Sequence, residues 1–103
     1  LTLKQAHDLI CANGAKRYGL YPFKGAFLPG SAADVTIVDL NRETTFSPET
    51  LHTHAREVAH LFYGRHLRGR VVQTVLAGNT VFQDGTITGP QGAGAFVTPS
   101  RGR

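Results

Sequence analysis

Methionine and tryptophan are absent from these 103 residues, and Cys11 is the only cysteine. A single thiol cannot staple the fold internally, which favours a reducing compartment and a cytoplasmic location. With no methionine and with Leu1 in first place, the chain reads as a piece of a longer polypeptide, because no ordinary initiator codon supplies leucine. Residues 1–20 lack the basic, apolar and small-residue regions of a secretory signal. No apolar run nears the ~20 residues of a bilayer span, which excludes a membrane-spanning helix and argues against a membrane partner. Acidic residues are also scarce, seven against eleven Lys and Arg.

The resulting net charge of +4 raises nucleic-acid binding, which needs clustered cations to neutralise phosphates. Here the cations are scattered. The densest stretch, R-H-L-R-G-R at 65–70, lacks interleaved aromatics, and two further arginines sit in the final S-R-G-R. The expectation is a solvated or intramolecular surface and no nucleic-acid partner. A composition of 41% hydrophobic and 17% charged residues is that of a soluble globular piece with a modest core.

Leu3, Ala6, Leu9, Ile10 and Ala12 or Ala15 fall on one face at helical spacing, and Thr2 with Gln5 forms a capping box. A helix is predicted from 2 to 13, stopping at Asn13-Gly14 or extending to about 17 before Gly19 and Pro22 break it. Period-two patterning then predicts short strands at Ala26–Leu28, Val35–Val38 and, weakly, Thr44–Phe46. S-P-E-T at 47–50 reads as a helical-turn start, and 54–70 carries no clear pattern. The strongest local signal is Arg70–Leu76, a Gly78-Asn79 turn, Thr80–Phe82, an Asp84-Gly85 turn and Thr86–Thr88, a three-stranded meander. The fold class is therefore mainly β with an N-terminal helix (α+β), about five or six short strands, and a Gly-rich tail from 89 docking through Phe96.

Chemistry-bearing residues are sparse. His52-Thr53-His54 would place two imidazoles on one face of a strand for a shared metal, but no spaced third and fourth ligands follow. His60 and His66 are neighbours only in sequence, and exposed loop histidines are the better reading. Cys11 adjoins the apolar helix face and reads as a small buried hydrophobe. Asp34 and Asp39 bracket a strand at an odd separation, pointing to opposite faces, with Asp34 capping its turn through local backbone bonds. The glycine-rich stretches match neither a Walker A nor a dinucleotide motif.

The string N-G-A-K-R-Y-G-L-Y-P-F-K-G-A-F-L-P-G-S-A-A-D-V-T-I-V-D over 13–39 resembles the C-terminal passage of the cyclic amidohydrolases, the dihydroorotase, allantoinase and hydantoinase (dihydropyrimidinase) group. Tyr63-Gly64 with Leu67–Val71, and Thr74–Val81, are similar to later segments of the same family. Gly14 stands where proline is usual, Ala32 where aspartate is common, and 59–64 lacks the usual Thr-Pro. The substrate class therefore stays open.

This resemblance implies that helix 2–17 is the last helix of a metal-bearing (β/α)8 barrel, with residues 1–18 belonging to that barrel. Residues 24–88 would form a β-sandwich composite domain, and 89–103 a loose C-terminal tail. It implies a parent enzyme that uses zinc to activate water against a small cyclic amide. The metal ligands and catalytic residues would lie upstream, so this chain contributes no catalytic, cofactor-binding or metal site residue. The implied partners are the upstream barrel of the same polypeptide and, through the parent, further copies in a homo-oligomer. Two other readings stand beside this one. They are a free-standing β-rich interaction module without enzymatic activity and a small metal protein using His52 and His54.

Overall fold

The computed structural model describes residues 1–100. Its helical segment runs unbroken through α1 (Leu3–His7), a π-helical turn (Asp8–Ala12) and α2 (Asn13–Arg17). The predicted capping box opens it. The Gln5 amide donates to Thr2 Oγ1 at 3.1 Å, and the Thr2 amide donates to Gln5 Oε1 at 2.7 Å. Asn13-Gly14 does not end it. A helix-interior glycine costs only about 1 kcal/mol, and the closing signal comes later. The Gly19 amide donates to the Lys16 carbonyl at 3.3 Å and the Leu20 amide to the Ala15 carbonyl at 2.8 Å, with Gly19 at φ 73°. Those two bonds around a left-handed glycine form a Schellman end.

An elbow at 18–34 follows, and the strand expected at Ala26–Leu28 is absent from it. Turn bonds fold the segment back on itself instead. The Ser31 amide donates to Leu28, the Ala32 amide to Phe23, and Ser31 Oγ to the Pro22 carbonyl.

The rest is one antiparallel sheet in the order β1 (Val35–Thr45), β2 (His66–Leu76), β3 (Asn79–Gln83) and β4 (Thr86–Ile87). Four strands replace the expected five or six, because Val35–Val38 and Thr44-Thr45 are two ends of a single β1. Its register slips between Asp39 and Glu43 and then resumes as Glu43 opposite Arg68 and Thr45 opposite His66. This polar pairing brings residues 66–69 into β2, which alternation alone did not reveal. Between β1 and β2 a lobe closes on itself: the Phe46 amide donates to Arg65 and the Gly64 amide to Phe46, both at 2.8 Å. The expected helical turn is a 3-10 turn at Pro48–Thr50, and a 3-10 helix follows at Arg56–Phe62.

The β2–β3 turn is centred on Ala77-Gly78, not Gly78-Asn79, since Leu76 pairs with Asn79. Ala77 at φ 50° and Gly78 at φ 84° give it the doubly left-handed geometry of a type I′ hairpin, and Asp84 (φ 46°) and Gly85 (φ 86°) repeat it as predicted. The described residues therefore form an N-terminal helix and a single four-stranded sheet.

Their packing is thin. The buried apolar residues among them are Ala12 and Ala15, which lie under Gly25. No helix residue approaches a strand residue within 8 Å, Cα to Cα. Elbow and tail alone relate helix to sheet. The docking contact expected at Phe96 does not form, as that side chain is 91% exposed. Instead the Ser100 amide donates to the Gly19 carbonyl at 2.9 Å. Arg101 and Arg103, counted in the charge reading, lie outside the described residues, as does the end of the 89–103 tail.

Candidate functional site

The groups that could act are best sought where the chain spends its specificity, at the elbow and on the faces it leaves uncovered. Asp34 closes the elbow onto the sheet. One carboxylate oxygen takes the Lys24 ammonium and the other accepts the Ala77 amide at 2.9 Å. The Gly78 amide adds a bond to the Ala33 carbonyl at 3.0 Å. The Lys24 bond, and after it the Ala77 amide, hold the Asp34 carboxyl below its ordinary range. This is a structural clasp rather than a reactive acid, because both oxygens are engaged. Local capping by Asp34, as expected from the turn, is thus replaced by bonds spanning ten and 43 residues.

Gly25 closes the elbow onto the helix. A Cβ built there would lie 2.6 Å from Ala15 Cβ and 3.0 Å from the Cys11 carbonyl, and φ is 78°. Only glycine meets both conditions.

Two faces remain open. On the helix, Leu3, Leu9 and Ile10 are 71%, 65% and 79% exposed. On the sheet, Val71, Leu76, Phe82 and Ile87 line an open, largely apolar groove of about 580 Å³ beside His52. A compact monomer of this size exposes roughly 5,700 Å², and this chain exposes 8326 Å². Its radius of gyration is 15.5 Å, against about 13 Å for a compact domain of similar length. Both differences say the same thing: the described residues are loosely packed and leave much of their apolar surface open.

The other candidates do not converge. His52 and His54 stand in a loop, not on a strand. His52 donates from Nε2 to the Gly85 carbonyl at 2.9 Å and meets the Phe82 ring edge-on at 6.0 Å, which ties the loop to the β3–β4 hairpin. His60 Nδ1 pairs with the Glu57 carbonyl and His66 Nδ1 with Thr45 Oγ1, each near its own strand or turn. Among the described residues no group of three or more His, Cys, Asp or Glu gathers. Cys11 is exposed rather than buried, because the elbow covers only Ala12 and Ala15 and leaves the rest of the stripe bare. No helix among the described residues is long and apolar enough to cross a membrane. Sequence reasoning missed the Asp34–Ala77 and Ser100–Gly19 bonds. Neither has a local signature.

No family model matches the chain. Curated relatives do. It is 42% identical over 91% of its length to an allantoinase of Rubrobacter xylanophilus and 36% identical over 87% to a D-hydantoinase of Streptomyces coelicolor. Among solved structures it superposes with a TM-score of 0.85 on a dihydropyrimidinase from Brevibacillus agri, at 30% identity over 97% of the chain. An L-hydantoinase (dihydropyrimidinase) from Arthrobacter aurescens gives 0.82 at 34% identity over 95%. The chain spans about a fifth of the length of these relatives.

Proposed function

From the homology of about nine tenths of this chain to the cyclic amidohydrolases, the group of allantoinase, D-hydantoinase and dihydropyrimidinase, we propose that it is the non-catalytic C-terminal portion of such an enzyme. The parent would hydrolyse a ring amide C–N bond of a small cyclic substrate. In that reading residues 1–18 end the barrel and the 2–17 helix lies on it through Leu3, Leu9 and Ile10. Residues 24–88 supply one layer of a composite β-sandwich, the groove beside Phe82 and Ile87 being the inner face of that layer. The parent is read as cytoplasmic and homo-oligomeric, without nucleic-acid or membrane partners.

The structural observation that supports a covered position within a larger protein is the open apolar surface. Each large aliphatic side chain taken out of water contributes roughly 1.5–3 kcal/mol, so three on one stripe make a strong reason to bind a neighbouring surface. Zinc is the metal expected for the parent, and it would polarise a ring carbonyl and lower the pKa of bound water. The residues described here do not fit a zinc site. A site needs three or four converging ligands, and His52 and His54 are engaged in separate local contacts or none.

The test is to assay ring opening of allantoin, hydantoins and dihydropyrimidines by this chain and by the complete protein that carries it. The chain alone is expected to be inert and the complete protein active. Turnover by the isolated 103 residues would overturn the reading.

A further inference from the structure

Residues 97–100 return to the far end of the molecule. They lie against the helix end that precedes the elbow, where Val97, Thr98 and Ser100 form a cavity of about 250 Å³ with Gly19, Leu20 and Phe23. The contact is specific at the backbone. The Ser100 amide donates to the Gly19 carbonyl at 2.9 Å, and a Cβ on Gly19 would meet Pro99 Cβ and the Ser100 carbonyl at 3.4 Å. Gly19 is thus used twice, once for the left-handed helix end and once as the acceptor for the tail.

The start of the tail is anchored as well. The Thr88 and Gly89 amides both donate to the Val81 carbonyl, and Gly89 sits so close to Val81 that a Cβ would lie 2.6 Å from Val81 Cγ1. Between these anchors the chain spans from β3 to the helix end. Because no Cα of the helix comes within 8 Å of a strand Cα, this span is a second route by which the sheet reaches the helix, parallel to the elbow and independent of the Asp34 clasp.

We propose that residues 89–100 are a strap, pinned at Val81 and at Gly19, that holds the helix end and elbow in place relative to the sheet. A single amide supplies the distal pin, so the strap is reversible. Hydrolysis, truncation or displacement beyond Gly89 would loosen the helix end and its side of the elbow while leaving the strands and the Asp34 clasp intact. The inference is independent of the enzymatic reading, because it requires only the two anchors and the separation of helix from strands.

The test is residue-resolved amide exchange on the full chain, with S100P and S100A compared with the unchanged protein. S100P removes the donating N–H, whereas S100A keeps it. In the unchanged chain the Ser100 amide is expected to exchange more slowly than its intrinsic rate. In S100P the Leu20, Tyr21 and Lys24 amides should exchange roughly fivefold faster, the value of one ordinary hydrogen bond. In S100A those amides, and in both variants the Thr74 and Phe82 amides of the sheet, should be unchanged. Free exchange at Ser100, equal elbow rates in S100P and S100A, or loss of protection throughout the sheet in S100P would each overturn the strap.

Discussion

The Asp34 carboxylate and the Ala77 amide, 43 residues apart in sequence, are joined by a 2.9 Å hydrogen bond that fastens the elbow to the β2–β3 hairpin. Its strength depends on charge. The folded-state pKa of Asp34 lies below its ordinary value, chiefly through Lys24 and then through Ala77. A depressed carboxyl stabilises the fold fully above its unfolded pKa of about 3.9 and loses that contribution as pH falls through the lower folded value. Asp34→Asn should therefore speed exchange of the Ala77 amide at neutral pH by roughly tenfold, about 1–2 kcal/mol for a half-buried charged acceptor. The gap between variant and unchanged protein should close as the solution is acidified below roughly pH 4. A gap that stays constant with pH would show that charge plays no part.

Ala77 adopts a left-handed conformation at φ 50°, which costs an L-residue with a Cβ about 1–2 kcal/mol. Asparagine tolerates that region and precedes glycine in the favoured type I′ pair. Ala77→Asn should stabilise the hairpin by about 0.5–1 kcal/mol, seen as slower exchange at Gly78. No change, or faster exchange, would mean that the turn is not the strained point.

Gly25 and Gly30 provide a contrast between crowding and strain. Both have positive φ, 78° and 90°, but a Cβ at Gly25 would strike Ala15 and Cys11 whereas one at Gly30 meets nothing within 4 Å. Gly25→Ala should cost about 3 kcal/mol, strain plus overpacking, and Gly30→Ala about 1 kcal/mol. Thermal melts followed by helical circular dichroism rank the two. Equal losses would place the whole effect in the backbone angle.

Phe46 lies 6.0 Å from the rings of both Phe62 and Tyr63 and closes the 46–65 lobe through its backbone. Phe46→Ala should loosen that lobe by about 2 kcal/mol, giving faster tryptic cleavage after Arg56 and Arg65. Cleavage after Arg17 should not change, and a rise there would indicate a wider collapse.

The stripe of Leu3, Leu9 and Ile10 should make the isolated chain associate with itself as concentration rises. Leu9→Lys with Ile10→Lys should abolish that association in sedimentation experiments without lowering helix content. Unaltered association would move the sticky surface to the sheet groove.

Much of the local structure was legible from residues alone. Thr2 and Gln5 announced the helix start because both halves of a capping box lie within one turn. Asp84-Gly85 announced a hairpin because few residue pairs accept two positive φ angles. The apolar stripe was legible as a face, and the resemblance over 13–39 pointed to the same group as the similar allantoinases and hydantoinases. The errors also have physical causes. Ala26–Leu28 reads like a strand, but the Leu28 carbonyl is taken by a turn bond from Ser31 and no strand lies beside the segment. Cys11 looks buried on a helical wheel, yet only Ala12 and Ala15 meet the elbow.

The sequence by itself determined the elements whose forces act within a few residues: caps, turns, alternation and the helix stripe. Tertiary structure alone decided that one long β1 replaces two strands, that Asp34 bonds Ala77 and that Ser100 returns to Gly19. Those contacts join residues tens of positions apart, and each ends on a backbone amide or carbonyl, which every residue carries and which therefore leaves no trace in side-chain chemistry.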